Sequence, residues 1–138
     1  MNKYLIATLA MLLSPMLSAS AVLDCENART TIEINQCAAA ELESAQTTLN
    51  EYLQASYEHH ADDPELVAAI KAAQKDWQAY LTSHCDAVYT QWRDGTIRGV
   101  MSLSCKTQLT RQRTHEIWAN FLTYMDRSPP VLPEPDTQ

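Results

Sequence analysis

The residues of this chain that could do chemistry fall into three groups. Cys25, Cys37, Cys85 and Cys105 are its only thiols. An even number of cysteines without a Cys-x-x-Cys spacing suits disulfides better than a metal finger or a redox pair. Four cysteines allow three connectivities. The two sequence-local pairs, Cys25–Cys37 and Cys85–Cys105, are favoured. Each closes a loop of roughly 13 to 21 residues and contributes about 3 kcal/mol in the chain-entropy picture. His59-His60 beside Asp62-Asp63 offers imidazole and carboxylate, both metal-ligand types. Adjacent histidines in a polar stretch do not close a coordination sphere alone. No metal and no cofactor is therefore assigned, and metal handling there is a third, weaker reading. The remaining titratable groups do not assemble a catalytic pattern. G-x-S-x-G, H-E-x-x-H and a glycine-rich phosphate loop are all missing, and the reading is a non-enzyme. His84 and His115 read as packed or solvated. Trp77 and Trp118 read as core, while Trp92 beside Arg93 reads as an available interface anchor.

Three helices must position these groups. The organising stretch is 24–57. Thr30-x-x-Glu33 is a capping box. Behind it, Ile34, Ala38, Leu42, Ala45, Leu49, Tyr52 and Leu53 recur at helical spacing. Glu33, Glu43, Glu51 and Glu58 project to the opposite face. A second helix starts at Asp63-Pro64, an N-cap followed by proline at the first helical position. Its stripe is Leu66, Ile70, Ala73, Trp77, Tyr80 with Leu81, His84 with Cys85, and Val88, fraying near Trp92. The stretch 93–99 holds both glycines and reads as a turn. Ser102 or Ser104 is expected to cap a third helix that runs to about Met125, with Cys105, Leu109, Ile117, Trp118, Phe121 and Leu122 inward. Residues 128–138 carry four prolines, which favour an extended, mobile tail. Short loops between long helices predict an all-α, antiparallel three-helix bundle stapled by two disulfides.

The first 21 residues read as an export leader. Lys3 precedes an apolar run, and Ala19-Ser20-Ala21 forms a small-x-small cleavage pattern. The run is short of the roughly 20 residues a membrane span needs, and Asp24 before Cys25 argues against a lipid anchor. The expected organisation is a leader over 1–21, one helical domain over 22–127 and a Pro-rich tail over 128–138, exported to the periplasm or secreted. Without the leader, which takes only Lys3, nine basic residues face 17 acidic ones, a net charge of −8. Residues 22–65 hold ten acids and one base, so the acidity is concentrated in the first helix and the segments that flank it. That balance excludes nucleic acid and anionic membrane and favours a basic protein partner.

Three blocks together resemble the LprI-like lysozyme inhibitor family of small exported bacterial proteins. They are Cys25 with Glu33-x-Asn35-x-Cys37-Ala38 and Leu49-Asn50; Ala73-Gln74-x-x-Trp77 with Cys85; and Cys105-x-x-x-Leu109-Thr110-x-x-Arg113. The likeness covers roughly residues 24–117. It implies a helical, disulfide-stapled envelope protein that inhibits c-type lysozyme. Such lysozymes are basic, with two catalytic carboxylates in the cleft. A blocking contact would use cations or hydroxyls, which points to Arg93, Thr96 and Arg98. The acidic face with Glu43 and Glu51 would steer the encounter. The chain departs from the family pattern at Gln46, where an Asp is common, at Tyr52, where the aromatic is shifted by one, and at Leu81, where an Arg is common. The competing expectation is an envelope interaction or stress-protection protein with another partner and no inhibitory activity.

Overall fold

The computed structural model describes residues 23–137. The expected leader over 1–21 lies outside the described residues. Three helices, α1 (Thr31–His59), α2 (Pro64–Gln91) and α3 (Arg98–Phe121), run up, down and up, with no strand among the described residues. Both disulfides join the sequence-local pairs. The Cα–Cα distance is 5.6 Å for Cys25–Cys37 and 5.7 Å for Cys85–Cys105. The first folds the lead-in back onto α1. The second ties the end of α2 to the start of α3.

α1 starts where its capping box sits. Thr30 Oγ1 accepts from Glu33 N at 3.2 Å, and Glu33 Oε2 accepts from Thr30 N at 2.9 Å and Arg29 N at 3.0 Å. These bonds, led by the Thr30 backbone N–H, hold the Glu33 carboxyl below its ordinary range. At α2, Asp63 Oδ1 accepts from Leu66 N at 3.0 Å and Pro64 opens the helix.

α3 departs from expectation at both ends. It begins at Arg98, four residues before Ser102, and its N-cap, Ile97, makes no side-chain cap bond. Ser102 is not a cap. It is buried, and its hydroxyl donates to Cys85 O at 3.2 Å. The helix starts early because Ile97 already has α-helical φ and ψ as the chain leaves the loop. It stops at Phe121 instead of near Met125 because the chain turns back, and Val131 N donates to Leu122 O at 2.8 Å. Met125 is wholly exposed.

α3 packs against both α1 and α2. The core joins Leu49, Tyr52 and Leu53 of α1, Ile70 of α2, and Ile117 and Leu122 at the end of α3. Each such side chain contributes about 1.5–3 kcal/mol of apolar burial. Nearer its start, the inner face of α3 reads Ser102, Thr107, Thr110 and Thr114, all buried. The three threonine hydroxyls donate to carbonyls four residues back, at 3.1, 2.7 and 3.0 Å. No buried side-chain N or O among the described residues lacks a partner. α2 buries less than its stripe implies: Ile70, Leu81 and Cys85 are buried, while Tyr80 and His84 face outward and stack at 5.3 Å. A helix packed mainly against one neighbour needs only a narrow seam.

The Pro-rich segment is extended, as its composition requires, but it does not trail away. It lies across α1 and α3. Tyr52 Oη donates to Pro133 O at 2.7 Å, and Trp118 Nε1 donates to Leu132 O at 2.9 Å. His115 Nε2 sits 3.2 Å from Glu134 Oε1. Pro135 is buried, and Leu132 packs on the core. Proline cannot donate, but its carbonyl and those around it accept. The helix side chains supply the donors.

Candidate functional site

The loop between α2 and α3 is a run of tight turns. Arg93 N donates to Thr90 O and Gly95 N to Trp92 O, at 3.2 and 2.9 Å. Arg93, Thr96 and Arg98 are all exposed on it. They are not equivalent. Arg98 Nη1 donates to Arg93 O at 3.1 Å, and its guanidinium lies over the Tyr89 ring at 5.4 Å. Arg98 therefore braces the loop. The Arg93 guanidinium has no hydrogen bond or ion pair among the described residues. Trp92 and Ile97 flank it at 40 % and 43 % exposure, so the expected aromatic anchor is available.

The start of α1 lies at the same end of the molecule. Asn35 packs directly on Gly99, and Asn35 Nδ2 donates to Thr31 O at 2.7 Å. Ile32 and Ile34 are exposed there. Beside them an open, mainly apolar groove of about 560 Å³ is lined by Cys25, Ile34, Cys37, Ala38 and Val100, with Glu41 and Ser104 also in its lining. A cation, an aromatic ring and a mainly apolar groove thus share one end of the bundle.

Glu43 and Glu51 are exposed on α1 but do not join that end. Eight and sixteen residues past Asn35, they stand about 12 and 24 Å further along the axis. They can shape the long-range field but cannot share a contact with Arg93. One acid of the same helix is tied inward: Glu41 Oε1 lies 2.9 Å from Arg111 Nη2 of α3.

The histidines are occupied by the fold. His60 Nε2 hydrogen-bonds Phe121 O at 2.9 Å, and His59 meets Tyr124 edge to face. No group of three His, Cys, Asp or Glu among the described residues is arranged to hold a metal. No described helix is long and apolar enough to cross a membrane.

Sequence reasoning missed one further feature. A polar crevice of about 170 Å³ opens between α1 and α2, with Gln46, Asn50, Gln74 and Gln78 on its walls and Thr110 of α3 at its base. The signal was present in the sequence as carboxamides spaced one helical turn apart on each helix.

These features define a small helical protein, stapled by two disulfides, with an exposed cation, an exposed aromatic ring and a mainly apolar groove at one end. The comparison with known families makes this specific. The model of the lysozyme inhibitor LprI family matches residues 24–117, and the chain belongs to that family. An uncharacterized protein of Rhizobium meliloti is 29 % identical over 105 residues, covering 68 % of this chain and 76 % of that protein. No solved structure matches.

Proposed function

We propose that this protein is an exported inhibitor of a basic, c-type lysozyme, working in the periplasm or outside the cell, and that it is not an enzyme. The observation that carries this beyond family membership is the exposed, unpaired Arg93 between Trp92 and Ile97. A guanidinium donates only, in a fork that matches carboxylates. The lysozyme cleft carries two carboxylates. Arg93 would enter the cleft, with Thr96 beside it and Arg98 holding the loop in shape. Trp92 and Ile97 would bury apolar area at the rim. The acidic exposed face of α1, including Glu43 and Glu51, would raise the association rate with a cationic enzyme. The two disulfides suit an oxidising compartment.

The test is titration of the disulfide-intact protein into c-type lysozyme, following lysis of bacterial cell walls at moderate salt. Saturable inhibition near one-to-one is expected. Arg93→Ala should weaken it at least about tenfold, the effect of losing roughly 1.4 kcal/mol of contact. Glu43→Ala should leave the end point unchanged and slow association at low salt. No inhibition at excess protein would return the chain to the interaction or stress-protection reading. Equal effects of Arg93→Ala and Glu43→Ala would remove the loop from the interface.

A further inference from the structure

The C-terminal segment follows one face of α3 backwards, meeting it about once per helical turn. Val131 N donates to Leu122 O at 2.8 Å, and Trp118 Nε1 donates to Leu132 O at 2.9 Å. His115 Nε2 sits 3.2 Å from Glu134 Oε1. Further on, Asp136 lines a cavity with Arg111, and Thr137 lines another with Gln108. Positions 122, 118, 115, 111 and 108 step back by three or four residues, the spacing of one helix face. At 1.5 Å per residue that row is about 21 Å long. α1 supplies the other wall: Tyr52 Oη donates to Pro133 O at 2.7 Å, and Thr48 shares the cavity of Asp136. The segment contributes backbone carbonyls and the helices contribute the donors. Pro133 and Pro135 have no N–H, so strand pairing is not what holds it. Aromatic side chains lining a groove for a proline-bearing extended chain are a recurring mode of peptide recognition. The main core cluster closes without the segment, being made of the three helices and Leu122, and only Leu132 packs on it from outside. Tyr52, Arg111 and His115 lie within the family-matched stretch 24–117, and the segment lies wholly beyond it. Residues 124–130, which connect the two, are all exposed. Their one hydrogen bond among the described residues, Ser128 N to Asp126 Oδ1 at 2.8 Å, is internal.

We propose that the seam between α1 and α3 is a recognition site for an extended Leu-Pro-acid-Pro segment, and that residues 131–137 are its built-in, releasable occupant. The pattern is read from the contacts of that occupant. Leu132 packs on the core, and its carbonyl and that of Pro133 take the two aromatic donors. An acid at 134 meets an imidazole, and Pro135 is buried. Val131 and Pro133 are exposed, so their side chains carry little of the specificity. A segment of a partner protein with the same pattern would meet the same donors. The connector sets the terms of exchange. A short flexible tether gives its end an effective concentration of about 1 mM. For the segment to stay docked in the intact chain, its dissociation constant as a free peptide must lie below that value. A partner's segment must out-compete the tethered one, or the connector must be cut. The site does not depend on lysozyme inhibition.

The test keeps the full chain. A site-specific protease sequence is inserted between Arg127 and Ser128, both exposed, where an insertion is tolerated. The folded, disulfide-intact protein is cut, its freed fragment is dialysed away, and a fluorescent peptide of residues 128–138 is added. Anisotropy should rise saturably, with a dissociation constant below about 1 mM, while circular dichroism stays that of the folded helices. Peptides carrying Leu132→Ala or Pro135→Ala should each bind at least about tenfold more weakly, since each loses buried apolar area. A Val131→Ala peptide should bind as the parent does. Uncut protein should take up much less peptide, because its own segment competes. The proposal is overturned if the cut protein stays folded and binds no peptide at millimolar concentration, or if the alanine peptides bind as the parent does. Equal uptake by cut and uncut protein also overturns it, since the peptide would then sit elsewhere. So does loss of the helical signal when the fragment leaves, since the segment would then be a fixed part of the fold.

Discussion

Gly99→Ala should destabilise the protein, and Asn35→Ala should repair it. A Cβ on Gly99 would overlap the Asn35 carboxamide oxygen and stand 3.2 Å from its Cγ. Gly99 has no positive φ, so the obstacle is space and not backbone conformation. Relief requires Asn35 to rotate away, breaking its 2.7 Å bond to Thr31 O, or α1 and α3 to separate where the Cys25–Cys37 bond pins the lead-in. Overpacking of this kind costs about 1–3 kcal/mol. Replacing glycine inside a helix returns about 0.5–1 kcal/mol. The net expectation for Gly99→Ala is a loss of about 1 kcal/mol, or roughly 3–6 °C in Tm for a domain of this size. With Asn35→Ala in the background the overlap vanishes and only the helical gain remains. The cycle should therefore show a coupling of about 1–3 kcal/mol. Urea unfolding of the four oxidised proteins, followed by circular dichroism, measures it. A Gly99→Ala protein as stable as the parent, with additive behaviour in the double variant, would refute the close-approach argument.

Removing Cys85–Cys105 as paired alanines should cost more than removing Cys25–Cys37. Each loop constraint is worth about 3 kcal/mol, but Cys85 is fully buried and Cys25 is exposed; urea midpoints compare them. The Glu33 carboxyl sits below its ordinary pKa. Its contribution is therefore present above about pH 4.5, the ordinary value, and lost as the pH falls through the lower folded value. Amide exchange at the start of α1 should speed up over that acid range, and Glu33→Gln should flatten the dependence. The Tyr52 phenol is raised, first by burial and then by Glu51. Its contribution holds below pH 10, the ordinary value, and is lost as the pH rises through the higher folded value. Ionisation also removes the proton donated to Pro133, so alkaline pH should loosen the C-terminal segment, read as a red shift of tryptophan emission that Tyr52→Phe no longer ties to pH.

What the sequence made legible follows a physical line. Features encoded by local spacing could be read directly: the Thr30 capping box, the Asp63-Pro64 start and the α1 stripe from Ala38 to Leu53. Both local cysteine pairs were legible because helix and loop lengths bring them together. What could not be read depends on neighbours. Thr107, Thr110 and Thr114 look like surface residues in a pattern of polarity. They are buried because each hydroxyl finds a carbonyl four residues back, and only the packing of α3 between two helices reveals the need for small, self-satisfied side chains. Ser102 resembled a cap for the same reason that it suits burial, a short hydroxyl close to its own backbone. The C-terminal prolines foretold an extended chain, but not the Tyr52 and Trp118 donors that hold it, because those lie far away in sequence.

The same dependence separates Arg93 from Arg98. They are five residues apart in one basic, glycine-bearing stretch, and the sequence treats them alike. In the fold, one guanidinium is spent on the loop's own carbonyl and the Tyr89 ring, and the other is free. A loss of inhibition on Arg98→Ala would therefore mix loop shape with contact. Arg98→Lys separates the two: a lysine can still donate to Arg93 O, but cannot reproduce the planar fork over a ring or a carboxylate. If Arg98 only braces the loop through that carbonyl, Arg98→Lys should inhibit nearly as the parent does while Arg93→Lys loses most of its effect. If both lysine variants fail equally, Arg98 reaches the partner as well and the division of roles drawn from the structure is wrong.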